Sequence, residues 1–377
     1  MTAKNKKKYG LCLAACGAAA AFFPAAAGAT KLDLTSAVDI KAANYGHLVY
    51  KDARNSQALY TETAKLGFVI KDIRLEKAPQ SSMEVGIVLQ SIGSGASTSA
   101  VTGPQFADAA NRLPQSGGTP FIREAYVKIH KFLNPNITAT LGRHDFTLGQ
   151  GITLSGDDLG LPGGRLEIAQ IYHGINAEFF YFRPFSGYSY ANLYGGSAYY
   201  PGNEGIWQLY HFWQQDTGAG RHVGYDTTAQ TKKFTGIRYL LTQKQLAFDG
   251  EAVIQRGSAV KAGGGETDYA AHAFMMNGSW AQDIGFFGRS TVRLGYGRSS
   301  GNPGAAAATD KAFFPAFGRK YKGLERSGYG EIAGASLYDI IKTSPTANGM
   351  PDGVSGLNVI NIGADMPYKK LLLSADL

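Results

Sequence analysis

The feature that most constrains this chain is a two-residue alternation of apolar and polar side chains, recurring from residue 30 onward. In Leu246–Gln255 one set of positions reads Leu, Phe, Gly, Ala, Ile, and the other reads Ala, Asp, Glu, Val, Gln. Met83, Val85, Ile87 and Leu89 oppose Glu84, Gly86, Val88 and Gln90. Val292, Leu294 and Tyr296 oppose Arg289, Thr291 and Arg293. Successive side chains on a strand point to opposite faces, so each segment is expected to be a strand with one oily and one polar side. Past residue 30, no apolar run approaches the ~18 residues that read as a membrane helix.

Turn chemistry divides these segments. Asn134-Pro135-Asn136, His173-Gly174, Gln243-Lys244, Asp283 and Pro367-Tyr368 each stand between two alternating stretches. Short turns of this kind join antiparallel neighbours. The other connections, 91–120, 147–164, 186–205, 257–267 and 299–330, are long and rich in Gly, Ser, Ala or Asn. Short turns alternating with long loops suit a barrel that has a turn side and a loop side. About 14 strands are expected, and residues 30–377 read as one undivided domain. Of the long loops, 299–330 is the first candidate for a plug.

Alternation also fits a soluble sandwich or a β-helix, whose oily face packs on protein. Aromatic residues decide for lipid: Phe121, Tyr172, Tyr181, Trp207, Trp213, Tyr239, Tyr269, Trp280, Phe286 and Tyr296 fall near strand ends, as headgroup-level girdles do. The opposite face is charged in most strands. The expected fold class is therefore all-β, a transmembrane antiparallel up-and-down β-barrel. It accounts for a chain that is 12% aromatic with 49 glycines, yet has a mean hydropathy of −0.16 and 18% charge. Disordered chains lack such aromatics, and two cysteines build neither a zinc-finger nor a disulfide scaffold.

Lys4, Lys6, Lys7 and Lys8 precede an apolar Ala/Leu/Phe run ending at Ala27-Gly28-Ala29. These are the n-region, h-region and A-x-A site of a secretory signal peptide over residues 1–29. The competing readings are a membrane anchor, which Pro24 interrupts, and a lipoprotein signal at Leu13-Ala14-Ala15-Cys16-Gly17. Cleavage removes four lysines and no acid from 37 basic and 29 acidic residues, so the formal charge falls from +8 to +4. Cys12 and Cys16 leave with it. The basic balance is then partly a targeting signal, and nucleic acid is not an expected partner.

Residues able to carry chemistry are few. Gly297-Arg298-Ser299-Ser300-Gly301 matches G-x-S-x-G, but a nucleophile elbow needs a following helix; with Asn302-Pro303-Gly304 and a run of alanines next, the match reads as a loop. None of the seven histidines has Ser two positions on, the pairing of membrane-embedded phospholipases. Arg143-His144-Asp145 has no second histidine at ligand spacing. The expectation is a chain that is not an enzyme and holds no metal or cofactor. By phase, Asp72, Arg74, Glu76, Glu84, Glu124, Lys128, His130, Glu178, Arg238, Asp249, Glu251, Arg289 and Arg293 face a lumen. Such residues pair across strands, or they form charged rings that sort solutes. Tyr126 shares that face and is placed to stack on sugar rings.

Arg123-Glu124-Ala125-Tyr126-Val127, Leu141-Gly142-Arg143-His144-Asp145-Phe146 and Gly149-Gln150-Gly151 resemble the alginate-export family of outer-membrane barrels. That family carries an (R)EAYV-type strand, an LGRQ-type strand and a Gly-rich loop containing Asp. Phe313–Gly323 is similar to its aromatic-proline loop, with Arg319-Lys320 where the family has His-Lys. The resemblance implies an 18-stranded barrel passing an anionic polysaccharide through an electropositive lumen, with Arg123, Glu124 and Arg143 lining the pore. Phase disagrees over Arg123, which shares the face of Ala125, Val127 and Ile129. The chain stops in mid-strand at Ser374-Ala375-Asp376-Leu377, so a C-terminally truncated barrel is expected. The alternative is a smaller barrel closed by Leu371–Leu377 against Leu32–Tyr45.

The functional expectation is an outer-membrane channel of alginate-export type, giving charge-biased passage to anionic saccharides or small solutes. Its expected lining is Arg74, Glu124, Tyr126, Lys128, Arg143, Arg238, Asp249, Glu251, Arg289 and Arg293. Its expected partners are outer-membrane lipid and the barrel-assembly machinery. The competing readings are a membrane-anchored enzyme and an adhesion barrel without transport.

Overall fold

The computed structural model describes residues 30–45, 57–96, 120–156, 160–186, 189–217, 220–222, 225–301, 308–313, 315–316, 356–369 and 371–376. The first strands are β1 (Lys31–Tyr45), β2 (Gln57–Leu75), β3 (Ala78–Ala96), β4 (Phe121–His130), β5 (Ile137–His144), β6 (Thr147–Leu148) and β7 (Leu154–Ser155). Then come β8 (Leu161–Tyr172), β9 (Ile175–Phe182), β10 (Phe185–Ser186), β11 (Ser189–Pro201), β12 (Gly205–Asp216), β13 (Gly220–His222) and β14 (Tyr225–Thr242). The last are β15 (Leu246–Lys261), β16 (Glu266–Asp283), β17 (Arg289–Ser299), β18 (Thr309–Asp310), β19 (Leu357–Tyr368) and β20 (Leu371–Asp376). Setting aside the two- and three-residue pieces β6, β7, β10, β13 and β18, the long strands pair antiparallel with their successors in chain order. That is up-and-down topology, with fifteen long strands among the described residues.

The short connections behave as their residues dictate. His173 and Gly174 both take positive φ, 45° and 83°, as a two-residue hairpin turn with the strands' own twist requires. One turn is displaced from its expected place. β19 runs through Pro367-Tyr368, pairing them with Leu372 and Leu371, and the chain reverses at Lys369, where φ is 54°. Gly297-Arg298-Ser299 is the end of β17 rather than a loop, and the Ser300 hydroxyl donates to the His272 carbonyl at 3.1 Å. Among the described residues no ladder joins β20 to β1, so the alternative closure of Leu371–Leu377 against Leu32–Tyr45 is not found there.

The two faces of the wall meet different surroundings. In β14, Lys232, Phe234 and Gly236 are buried while the alternate residues Lys233 and Ile237 are exposed. Consecutive strands therefore turn their buried positions to one side. Phe180, Phe182, Phe212, Phe234, Val253, Ala271 and Ala273 all pack into one cluster with Phe146, Leu148 and Leu154. A flat sheet does not bring β9 and β16 onto one short segment; the wall curves around it. Outward lie Leu209, Ile237, Leu294 and the aromatic residues Trp207 and Trp280, the last two 50% and 52% exposed. Tyr269, expected among the outward aromatics, is instead 2% exposed on the inner face, its hydroxyl donating to Gln230 Oε1 at 3.1 Å.

Candidate functional site

The connection from β5 to β8 folds into the curve of the wall. The Gly156 N–H donates to the Phe146 carbonyl at 2.7 Å, and β6 pairs with β7, so residues 146–156 form a closed hairpin-like excursion. Phe146, Leu148 and Leu154 anchor it among the inward aromatic side chains, with the Phe146 ring 4.9 Å from both Phe180 and Phe182. This inward loop falls within 147–164. The 299–330 segment, expected to be the plug, lies mostly outside the described residues, although Phe313 from it packs against Phe234.

Gly149 and Gln150 form the tip, and β14–β16 grip it. The Arg238 Nη1 donates to the Gly149 carbonyl at 2.7 Å. The Gln150 backbone N–H and the Tyr210 hydroxyl both donate to the Glu251 carboxylate. Gln150 Nε2 donates to the carbonyls of Asp249 and Met275 at 3.1 and 3.2 Å, and Asn277 Nδ2 donates to Gln150 Oε1 at 2.8 Å. Every polar group of the Gln150 amide is thus occupied. Gly149 takes φ of 62°, and a Cβ there would overlap the Glu251 carboxylate. Glycine meets both demands at once.

Around this tip the inner wall is a set of matched charges. Arg238 holds Asp249 through two bonds of 2.7 and 2.6 Å. Arg165 lies between Glu178 and Glu167, at 2.6 and 3.0 Å. Arg293 lies 2.9 Å from Asp365, which also accepts from Ser374 at 2.7 Å. Arg165–Glu178, Arg238–Asp249 and Arg293–Asp365 each span neighbouring strands, as inward side chains in register allow, whereas Glu167 lies two residues along β8 from Arg165.

The expected lining residues divide accordingly. Arg238, Asp249 and Arg293 lie on the inner wall, as do Lys128, opposite Glu84, and Tyr126, whose hydroxyl donates to Glu84 at 2.8 Å. Glu124 is also inward, in an ion pair with Arg123. The register shift between Val88 and Leu89 adds one residue to β4, and such a bulge lets Arg123 and Glu124 face one side together. That resolves the conflict over Arg123. Four expectations are corrected. Glu251 is inward but only 2% exposed, covered by the loop tip it binds, so it anchors the loop rather than lining a path. Arg143 shares the outward set with Leu141, because Thr140 and His144 are the buried residues on either side; its Nη1 reaches the Gly160 carbonyl at 3.4 Å. Arg289 is exposed at the turn end, donating to the Lys244 carbonyl. Arg74, opposite Ser82, is likewise an exposed rim residue. Sequence reasoning missed Gln150, Tyr210, Arg165 and Asp365. Only Gln150 stood in a recognised motif, and nothing local marks it as a ligand of strands a hundred residues away.

No protein-family model matches the chain, and no curated protein matches its sequence. Among solved structures, OprB of Pseudomonas putida at high pH is similar over 92% of this chain and 88% of its own, with 9% identity and a TM-score of 0.53. An anion-selective porin from Comamonas acidovorans covers 92% of this chain and 87% of its own, with 13% identity and a TM-score of 0.48. OmpT, an outer membrane protein of Vibrio cholerae, covers 93% and 88%, with 7% identity and a TM-score of 0.48. The expectation that the chain is not an enzyme is withdrawn. The likeness to solved structures is one of fold at 9% identity, and a scaffold does not decide the chemistry it carries. The likeness to OprB is one of fold: this chain is an antiparallel transmembrane β-barrel of the outer-membrane type.

Proposed function

We propose that the chain is an outer-membrane channel for small polar solutes, narrowed by the loop that folds inward between β5 and β8. The observation that carries this reading is the inner wall itself: polar and charged side chains of consecutive strands face a hairpin-like segment held at its tip by Glu251, Arg238 and Asn277. A polar, side-chain-lined interior with an oily exterior suits conduction through lipid. The similar structures include porins and an outer membrane channel of Acinetobacter baumannii, which supports the same reading. In this proposal residues 1–29 are the export signal, residues 30–377 the barrel, and outer-membrane lipid and the barrel-assembly machinery the partners. The finer, alginate-type reading rests on the motifs around Arg123 and Gly149. The matched pairs Arg165–Glu178, Arg238–Asp249 and Arg293–Asp365 weigh against a polyanion, because a strongly electropositive lumen needs arginines in excess of carboxylates.

Single-channel recording in a planar bilayer tests the proposal. Discrete conductance steps are the expected result, and a correctly inserted protein that passes no current overturns it.

A further inference from the structure

Beside the loop tip, the inner face of β15, β16, β17 and β19 holds a cavity of about 360 Å³, within the ~300–1,000 Å³ typical of small-molecule sites. Its floor is one cross-strand row: Asp249 opposite Asn277, Asn277 opposite Gly295, and Gly295 opposite Asn361. Inward side chains in such a row touch their neighbours, and Gly295 leaves the middle position empty. A Cβ at Gly295 would sit 3.2 Å from Asn277 Oδ1 and 3.4 Å from Asn361 Cβ. The result is a notch between two amides. Gly297, on the same inward set, extends the clearing along β17.

The charges around the notch are already taken. Arg238 holds Asp249, and Asp365 holds Arg293. What remains toward the cavity is neutral. The Asn361 amide and the Ser279 hydroxyl make no side-chain hydrogen bond among the described residues, and Asn277 uses one N–H on Gln150. Amides and hydroxyls offer donors and acceptors side by side, the complement of a solute whose hydroxyls do both. A carboxylated solute would have to displace Asp249 or Asp365 from its arginine, or bring an uncompensated charge into the notch.

We infer that this notch, formed by Asn277, Ser279, Gly295 and Asn361, is a binding subsite for an uncharged, hydroxyl-bearing solute about the size of one sugar ring. The inference rests on the channel reading and adds a solute class to it.

The test uses full-length protein and two probes, D-glucose and its carboxylated counterpart D-glucuronate. Equilibrium dialysis of the solubilised protein reads binding, and current interruptions in a planar bilayer read occupancy during conduction. Saturable glucose binding is expected, with glucuronate weaker by about tenfold, as one unpaired charge demands. Asn361→Ala, which deletes one amide, and Gly295→Val, which fills the notch, each weaken glucose binding by about tenfold. If Gly295→Val does not insert, Asn361→Ala decides. Equal or tighter binding of glucuronate, absence of glucose binding, or binding indifferent to Asn361→Ala overturns the subsite. Glucose binding without any conductance overturns the channel reading and leaves the subsite standing.

Discussion

Replacing Gln150 with alanine separates the loop's polar latch from its apolar anchor. The substitution deletes two donated hydrogen bonds, to the carbonyls of Asp249 and Met275, and the one accepted from Asn277. It leaves the backbone N–H on Glu251 and the Leu148 and Leu154 contacts in place. At roughly 0.5–1.5 kcal/mol net per neutral bond, the three together are worth about 2–4 kcal/mol. The ratio of docked to undocked loop should therefore fall by about 30- to 700-fold. The reporter is Thr153→Cys, a nearly isosteric change at a residue with 0% exposure, in a background lacking Cys12 and Cys16. When opening and closing are fast, thiol labelling follows the open population. Labelling should accelerate by the same factor, and conductance should become noisier. A rate within twofold of the parent would refute the idea that the Gln150 amide holds the loop.

Other expectations follow from the same geometry. Gly149→Val forces a β-branched residue to a φ of 62° and against the Glu251 carboxylate, so it should raise Thr153→Cys labelling; strain alone contributes about 1–2 kcal/mol. Arg293→Glu sets a like charge against Asp365 and should move the reversal potential toward cations; an unchanged potential removes Arg293 from the path. Leu209→Arg, at an outward position 57% exposed, should cost about 2–4 kcal/mol of folding stability in vesicles if it lies near the bilayer midplane. A loss near zero there would mean that lipid does not cover that face. Phe234→Ala removes a ring stacked on Phe212 at 4.8 Å from the inward cluster, and urea unfolding should register a loss of about 3–5 kcal/mol.

Much of the wall was legible because alternation is local. Leu246–Gln255 places Asp249 and Glu251 inward with no knowledge of neighbouring strands. Legibility fails where both faces are aromatic. In β12, Trp207, Leu209 and Trp213 point outward while Tyr210 and Phe212 point inward, so period two identifies a strand and not its orientation. Tyr269 was misassigned for that reason, since an inward tyrosine and a girdle tyrosine look alike in one strand. Arg143 was assigned by motif position rather than by phase, and register with Ala125 puts it on the other face. The bulge that turns Arg123 inward appears only in the pairing of β4 with β3.

By itself the sequence determined the class of element, its two-sided character and most of its turns, because those follow from side-chain spacing and from residues such as His173-Gly174 that favour reversal. Tertiary structure alone decided which charges meet and which loop enters the wall. Gln150 reaches partners 99 to 127 residues away, and no local rule relates positions so far apart. The same holds for the notch. A glycine in a strand is unremarkable until register sets Gly295 between Asn277 and Asn361, where a missing side chain becomes space.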